Sequence, residues 1–142
     1  MRKYKECILD AKEVDHIVSE WKSRLRLDGW NVTVSFDDLA GFASSKGCSI
    51  DGGKRGRIIL CTPESYSSEY GDPYNMEYEI VWNFLAFKLR WFEPQANTQA
   101  DLVFKQMITD LAEGLLESKH NDPLFSFTKN TNRDKERRDD NA

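Results

Sequence analysis

The segment from Glu79 to Pro94, EIVWNFLAFKLRWFEP, constrains the fold of this chain more than any other. Ten of the thirteen residues between Ile80 and Phe92 are apolar, although the hydrophobic content of the whole chain is only 39%. This pattern predicts a helix from about Met76 to Trp91, and Pro94 stops it. Because a helix that is apolar on nearly all sides must be covered by other elements, we expect it to be buried.

Two more helices are predicted on either side of short strands. Asp10 and Glu13 have the spacing of a capping box and start the first helix, which ends near Leu27. Thr98 starts a last, long helix. The predicted apolar face of that last helix consists of Ala100, Phe104, Met107, Ile108, Leu111 and Leu115.

Three strand patterns lie between the first helix and the apolar one. Apolar and polar residues alternate from Trp30 to Phe36, a weaker pattern covers Gly41 to Ile50, and a short buried strand is predicted from Arg57 to Cys61. The turn sequence DGGK joins the last two strands. The order of elements predicts an α+β domain over residues 1–118, in which helices cover one face of a small three- to four-stranded β-meander.

Composition narrows the function classes. A net charge of −4 gives no support for general nucleic-acid binding. The three cysteines, Cys7, Cys48 and Cys61, have neither zinc-site spacing nor the even number of a disulfide framework. Since the N-terminus lacks a signal-peptide core and no window of eighteen apolar residues occurs, we expect a cytoplasmic protein without a membrane span.

Several short sequence motifs, together with the order of the predicted elements, resemble those of a known family. Phage-borne minimal zinc metallopeptidase-like proteins, relatives of the SprT-like peptidases with a zincin-type fold, have an initial helix, a short sheet, a PYDME-type segment and a helix that bears HExxH. Here PYNME occurs at Pro73–Glu77 and RWFEP at Arg90–Pro94, and the resemblance covers roughly residues 8–116. It implies a phage or another mobile element as the source, and then the host cytoplasm as the location.

The resemblance also places the family's catalytic positions on residues that lack the chemistry. When the chain is aligned with the family on these two motifs, HExxH falls on Trp82-Asn83-Phe84-Leu85-Ala86, and the third ligand position falls on Lys105. Indole nitrogen is only a donor, alanine has no ligand atom, and asparagine is no general base near neutral pH. We therefore expect no zinc, no other cofactor and no peptidase activity. Trp82 over Ala86 is predicted to fill the volume that a metal would occupy.

One segment is the candidate partner interface. No Lys or Arg occurs from Ile58 to Phe87, a stretch that holds four of the five tyrosines. Tyrosines beside acidic residues favour a basic partner surface. The candidate interface residues are Glu64, Tyr66, Glu69, Tyr70, Asp72, Tyr74 and Glu77.

The last residues, 119–142, are polar and predict a flexible tail that could contact phosphates through Arg133, Arg137 and Arg138. Three functions stay open. The first is a non-catalytic interaction or regulatory protein, and in its narrower form an inhibitor of a host defence nuclease such as a CRISPR effector. The second is an accessory protein that binds nucleic acid through the tail and the basic run Lys54-Arg55-Arg57. The third is a metal-dependent hydrolase with an unrecognised site.

Overall fold

A computed structural model describes residues 5–39, 43–50, 53–66 and 73–121 of the chain. It confirms an α+β fold with an N-terminal helix, a small sheet and a long C-terminal helix. In chain order the elements are α1 (Ala11–Arg24), β1 (Asn31–Asp37), β2 (Ser45–Ile50), β3 (Arg55–Cys61), α2 (Met76–Lys88) and α3 (Gln99–His120). Short 3₁₀ turns occur at Pro63–Ser65 and Arg90–Phe92. No described helix is both long and apolar enough to cross a bilayer.

The three described strands form a sheet in the order β1-β3-β2, so the predicted meander is wrong. β3 lies in the centre, antiparallel to β2 and parallel to β1. The physical reason is the distribution of apolar residues. β3 buries Ile58 and Leu60 completely, whereas the polar β2 sequence SKGCSI suits an edge.

Helix α2 is the buried centre of the domain, as its sequence predicts, and it packs against the sheet, α1 and α3. Two glycines let it approach the strands closely. A Cβ at Gly56 would lie 2.6 Å from the Phe87 ring, and a Cβ at Gly47 would lie 2.2 Å from the Asn83 side-chain oxygen. On the same side of the helix, Phe87 stacks on Trp30 at a centroid distance of 5.5 Å.

The predicted first residues of the three helices are confirmed. The C-terminal ends of α1 and α2 and the buried face of α3 differ from the predictions. Asp10 and Glu13 form the capping box of α1, and Thr98 caps α3. However, α1 ends at Arg24 rather than near Leu27, and α2 ends at Lys88 rather than Trp91.

The buried face of α3 agrees with the predicted one only in part, since Ile108 is buried and Phe104 and Leu115 are half-buried, as expected of a core-facing side. Met107 and Leu111 are 52% and 47% exposed, because α3 packs on α2 through a neighbouring row. That row consists of Asp101, Ile108, Ala112, Glu113 and Leu116.

A buried carboxylate joins the three helices. Glu77, in the first turn of α2, accepts hydrogen bonds from the Trp21 indole of α1 (2.6 Å) and from the Lys119 ammonium of α3. His120 Nε2 lies 2.7 Å from the other Glu77 oxygen. Helix α3 continues two residues beyond the predicted domain boundary at 118. These two residues, Lys119 and His120, contact the Glu77 carboxylate. We call Glu77 and these three partners the Glu77 clasp. Residues 122–142 lie outside the described part of the chain.

The clasp determines how Glu77 responds to pH. Burial alone would raise the pKa of this carboxyl, but the hydrogen bonds from Lys119, Trp21 and His120 outweigh burial and hold the pKa below its ordinary value of 4.5. A carboxyl with a lowered pKa stabilises the fold above its ordinary pKa, and this contribution is lost as pH falls through the lowered value.

We predict that Glu77→Gln lowers the free energy of unfolding at pH 7 by roughly 3 kcal/mol, because it leaves the nearly buried Lys119 ammonium with less compensation. Urea denaturation measures this loss, and Glu93→Gln at an exposed position is the matched control. The difference between wild type and Glu77→Gln should shrink at pH 3. An equal loss in both variants, or a loss independent of pH, would contradict the clasp.

Candidate functional site

A cleft of about 560 Å³ lies between β2, α2 and α3. All four positions that the sequence resemblance assigned to a former metal site line it: Trp82, Asn83, Ala86 and Lys105. Since α2 contributes three of them and α3 the fourth, their meeting depends on how the two helices pack. The structure thus places these four residues in one site.

Trp82 does not fill the cleft, so the prediction of a plugged site is wrong. The Trp82 side chain is half-buried, and its indole N–H donates to the Thr109 hydroxyl of α3 at 3.1 Å. This hydrogen bond holds the ring against α3, while the small Ala86 one turn later leaves space beside it. The cleft therefore stays open beside the Trp82 ring.

Asn83 joins α2 to the edge strand. Its side-chain nitrogen donates to the Ser45 hydroxyl at 3.1 Å and to the Glu79 backbone carbonyl at 2.8 Å. Its side-chain oxygen lies against Gly47, where a Cβ would overlap it. The lone polar residue of the apolar helix is therefore a fixed contact between α2 and β2.

Glu79 lies one turn before Asn83 and faces the same cleft. The Ser45 hydroxyl donates to its carboxyl group at 2.6 Å. Burial raises the pKa of Glu79 to about 7, and the hydrogen bond from Ser45 offsets only part of this rise. A carboxyl that changes protonation near neutral pH inside a cleft is a common feature of functional sites. It can accept a proton from a bound group or donate one to it.

Two cations lie at the border of the cleft. Lys105 is about half exposed and pairs with Asp101 one turn earlier at 3.2 Å. The Arg90 guanidinium lies 4.8 Å from the Trp30 ring centroid and 4.9 Å from that of Trp91. Both cations thus have partners in the protein, and neither neutralises Glu79 by a direct ion pair in the described structure.

The outer edge of β2 borders the same cleft. The Cys61 amide donates to the Ser44 carbonyl at 2.9 Å, so alternate residues 46, 48 and 50 bond to β3 in this antiparallel ladder. The backbone groups of Ser45, Gly47 and Ser49 consequently point away from the sheet. Among the described residues, no strand pairs with this edge.

The predicted acidic and aromatic interface is not one exposed surface. Tyr74 is only 4% exposed and donates its hydroxyl to the Cys61 carbonyl at 2.7 Å, while Glu77 is 3% exposed within the clasp. Including these two as surface contacts was wrong, because each is a buried structural residue.

Glu64 is exposed, and Tyr66 is half-buried and stacked on Tyr74 at a centroid distance of 4.4 Å. The other predicted contacts lie outside the described residues. They are Glu69, Tyr70 and Asp72, and in the tail Arg133, Arg137 and Arg138.

Sequence reasoning missed the Ser45–Glu79 pair. Glu79 lies in the first turn of its helix, where an acidic residue is favourable in any case, and Ser45 lies in the weaker strand pattern from Gly41 to Ile50. One signal was present, since Glu79 and Asn83 are four residues apart and so lie on the same helix face. The partner strand could not be inferred from that spacing.

Comparison with family models, curated proteins and solved structures finds no match for this chain. The relationship to the zinc metallopeptidases therefore stays a prediction. In the described residues, no group of three or more His, Cys, Asp or Glu side chains is arranged to hold a metal ion.

We predict that Glu79→Gln gains stability relative to wild type as pH rises. Glu79 has a raised pKa in the folded protein, so the fold loses stability between pH 4.5 and about 7 as this buried carboxyl ionises. Glutamine removes the ionisation and retains an oxygen that can accept from Ser45. The free energy of unfolding of Glu79→Gln minus that of wild type should be larger at pH 8 than at pH 4, by up to about 3 kcal/mol. Thermal melts from pH 4 to 8 measure it, with exposed Glu64→Gln as control. A pH-independent difference would contradict the assignment.

Proposed function

We propose that the protein is a non-catalytic interaction protein that binds an extended segment of a partner protein along β2 and in the adjacent cleft. One observation carries this proposal: the open edge of β2 and the cleft share the residues Ser45, Gly47 and Ser49. An extended peptide that pairs with this edge would direct alternate side chains towards the cleft.

The dimensions of the site support a peptide ligand. A cleft of about 560 Å³ lies within the roughly 300–1,000 Å³ that is usual for ligand sites. Its wall contains apolar surface from Trp82, Phe104 and Ile108, which favours apolar side chains of the ligand. Ser45, Glu79 and Asn83 already bond to one another, so they form a polar wall rather than a set of unsatisfied groups.

The residues at the positions that correspond to the metal site of the zinc metallopeptidase-like family support the proposal that the protein is non-catalytic. Tryptophan, asparagine and alanine on α2 and lysine on α3 lack the ligands and the base of that chemistry. Lys105 brings a cation where a metal would need an anion, and it is paired with Asp101. The scaffold is thus better suited to holding a ligand than to activating water on zinc.

We predict that selection from a displayed library of random peptides enriches sequences with apolar residues at alternate positions. Ala86→Trp should reduce binding of the enriched peptides at least tenfold, because the indole fills the cleft. Ser49→Pro should reduce binding similarly, because it removes an outward backbone N–H without removing a bond to β3. Fluorescence anisotropy with one labelled peptide measures both losses.

Two matched variants control for general damage. Ala100→Trp adds the same side chain at an exposed position of α3 that does not line the cleft. Ser49→Ala removes the hydroxyl but keeps the backbone N–H. Peptide binding that survives both Ala86→Trp and Ser49→Pro, or a library that yields no enriched peptide, would refute the proposal.

A narrower proposal concerns the identity of the partner. We propose that the protein comes from a phage or another mobile element and inhibits a nuclease of a host defence system, such as a CRISPR effector. The family resemblance and the net charge of −4, which suits a basic nuclease surface, support it.

In a DNA-cleavage assay, wild-type protein at a few-fold excess should slow the nuclease, and Ala86→Trp should restore cleavage. If wild type and Ala86→Trp inhibit equally, inhibition does not use the cleft. If a panel of defence nucleases is unaffected by wild-type protein, the narrower proposal fails while peptide binding stays testable by itself.

A further inference from the structure

The face of the sheet turned away from α2 carries a group of cations. Strand alternation separates the two faces, since Val32 and Val34 are half-buried while Thr33 and Ser35 on the other face are exposed. The same alternation exposes Arg55 and Arg57 on β3 and Lys46 on β2. We call this side the open sheet face.

Strand register brings these cations together. Arg57 pairs with Thr33 on one side and with Cys48 on the other, in the middle of the sheet. Lys46 pairs with Ile59, so it is a diagonal neighbour of Arg57 with a backbone separation of about 7–8 Å. Arg55 lies one further step along β3. The cations follow one another at roughly 7 Å intervals, the spacing of every second residue in a strand.

Opposite charges are sparse on this face. In the described strands, its acidic residue is Asp37, at the end of β1 furthest from Arg55. The Asp37 carboxylate accepts the Asp38 backbone N–H at 2.7 Å. Although the chain has a net charge of −4, charges beyond the Debye length of about 8 Å are largely screened at physiological salt. Among the described strand residues, the open sheet face therefore has three cations, Lys46, Arg55 and Arg57, against one carboxylate.

We propose that the open sheet face binds the sugar-phosphate backbone of single-stranded nucleic acid. Regularly spaced cations match a polymer with one negative charge per nucleotide, and the hydroxyls of Thr33 and Ser35 can donate to phosphate oxygens. The described strands place no aromatic side chain on this face, so there is no platform for base stacking and binding is independent of sequence. The cations of this surface do not line the cleft, although Cys48 of the edge strand borders both sites.

Fluorescence anisotropy with a labelled oligothymidine and the full chain tests the proposal over a range of salt concentrations. Three or four phosphate contacts predict a slope of log affinity against log salt of about −2 to −3. Lys46→Gln combined with Arg57→Gln should weaken binding at least tenfold at 50 mM salt and reduce the slope by about 1.4. Circular dichroism checks that the double variant is folded.

The control removes the same charge from elsewhere. Lys12→Gln combined with Lys88→Gln changes two exposed lysines on α1 and α2 and should leave affinity and slope within twofold of wild type. Equal weakening in both double variants would show an effect of net charge and would overturn the proposal. If the Lys46→Gln/Arg57→Gln variant binds as tightly as wild type, the proposal is overturned too. This is the result expected if the arginines of the tail bind the oligothymidine instead.

Cys48 supplies an independent readout, because it is exposed next to Arg57, whereas Cys7 is half-buried and Cys61 is buried. Bound oligothymidine should slow modification of the Cys48 thiol several-fold, and unchanged modification at saturating oligothymidine would overturn the location. Vesicles of anionic lipid are the competing ligand. If vesicles protect Cys48 as well as oligothymidine does, and with the same dependence on Lys46 and Arg57, the assignment to nucleic acid fails.

Discussion

The contact between Glu77 and its three partners is the interaction on which the rest of the domain depends. Burying a carboxylate costs several kcal/mol unless donors compensate it, and here Trp21, Lys119 and His120 do so from two other helices. The clasp holds the first turn of α2 against α1 and α3. Further along the same helix, Glu79 and Asn83 contact β2, and Ala86 lines the open cleft.

Local features of the fold could be predicted from the sequence, since their determinants lie within a few residues. The capping box at Asp10 and Glu13 and the cap at Thr98 are of this kind, and both are confirmed. The strand order could not be predicted, because the pairing of β1 with β3 depends on which strand is buried. Burial also decided the role of Tyr74 and Glu77, which an acidic and aromatic composition does not reveal.

In the candidate site too, some features follow from nearby residues in the sequence and others only from the packing of separate elements. The positions of Trp82, Asn83 and Ala86 on one side of a helix follow from their spacing, and the structure brings Lys105 to them. The contact between Ser45 and Glu79 joins residues on different elements, and so does the overlap of Asn83 with the space beside Gly47. Such contacts emerge only when the sheet and the helix have packed.

The parallel pairing of β1 with β3 has a consequence for the order of folding. Ile50 and Arg55 pair across a short turn, whereas Asn31 must close a much longer loop to meet Arg55. Because loop closure costs more entropy for longer loops, we expect the β2–β3 hairpin to form first and β1 to be added later. Until then, Ile58 and Leu60 lie in a strand with one unpaired edge. We therefore expect a refolding chain to be most prone to aggregate in the interval before β1 docks.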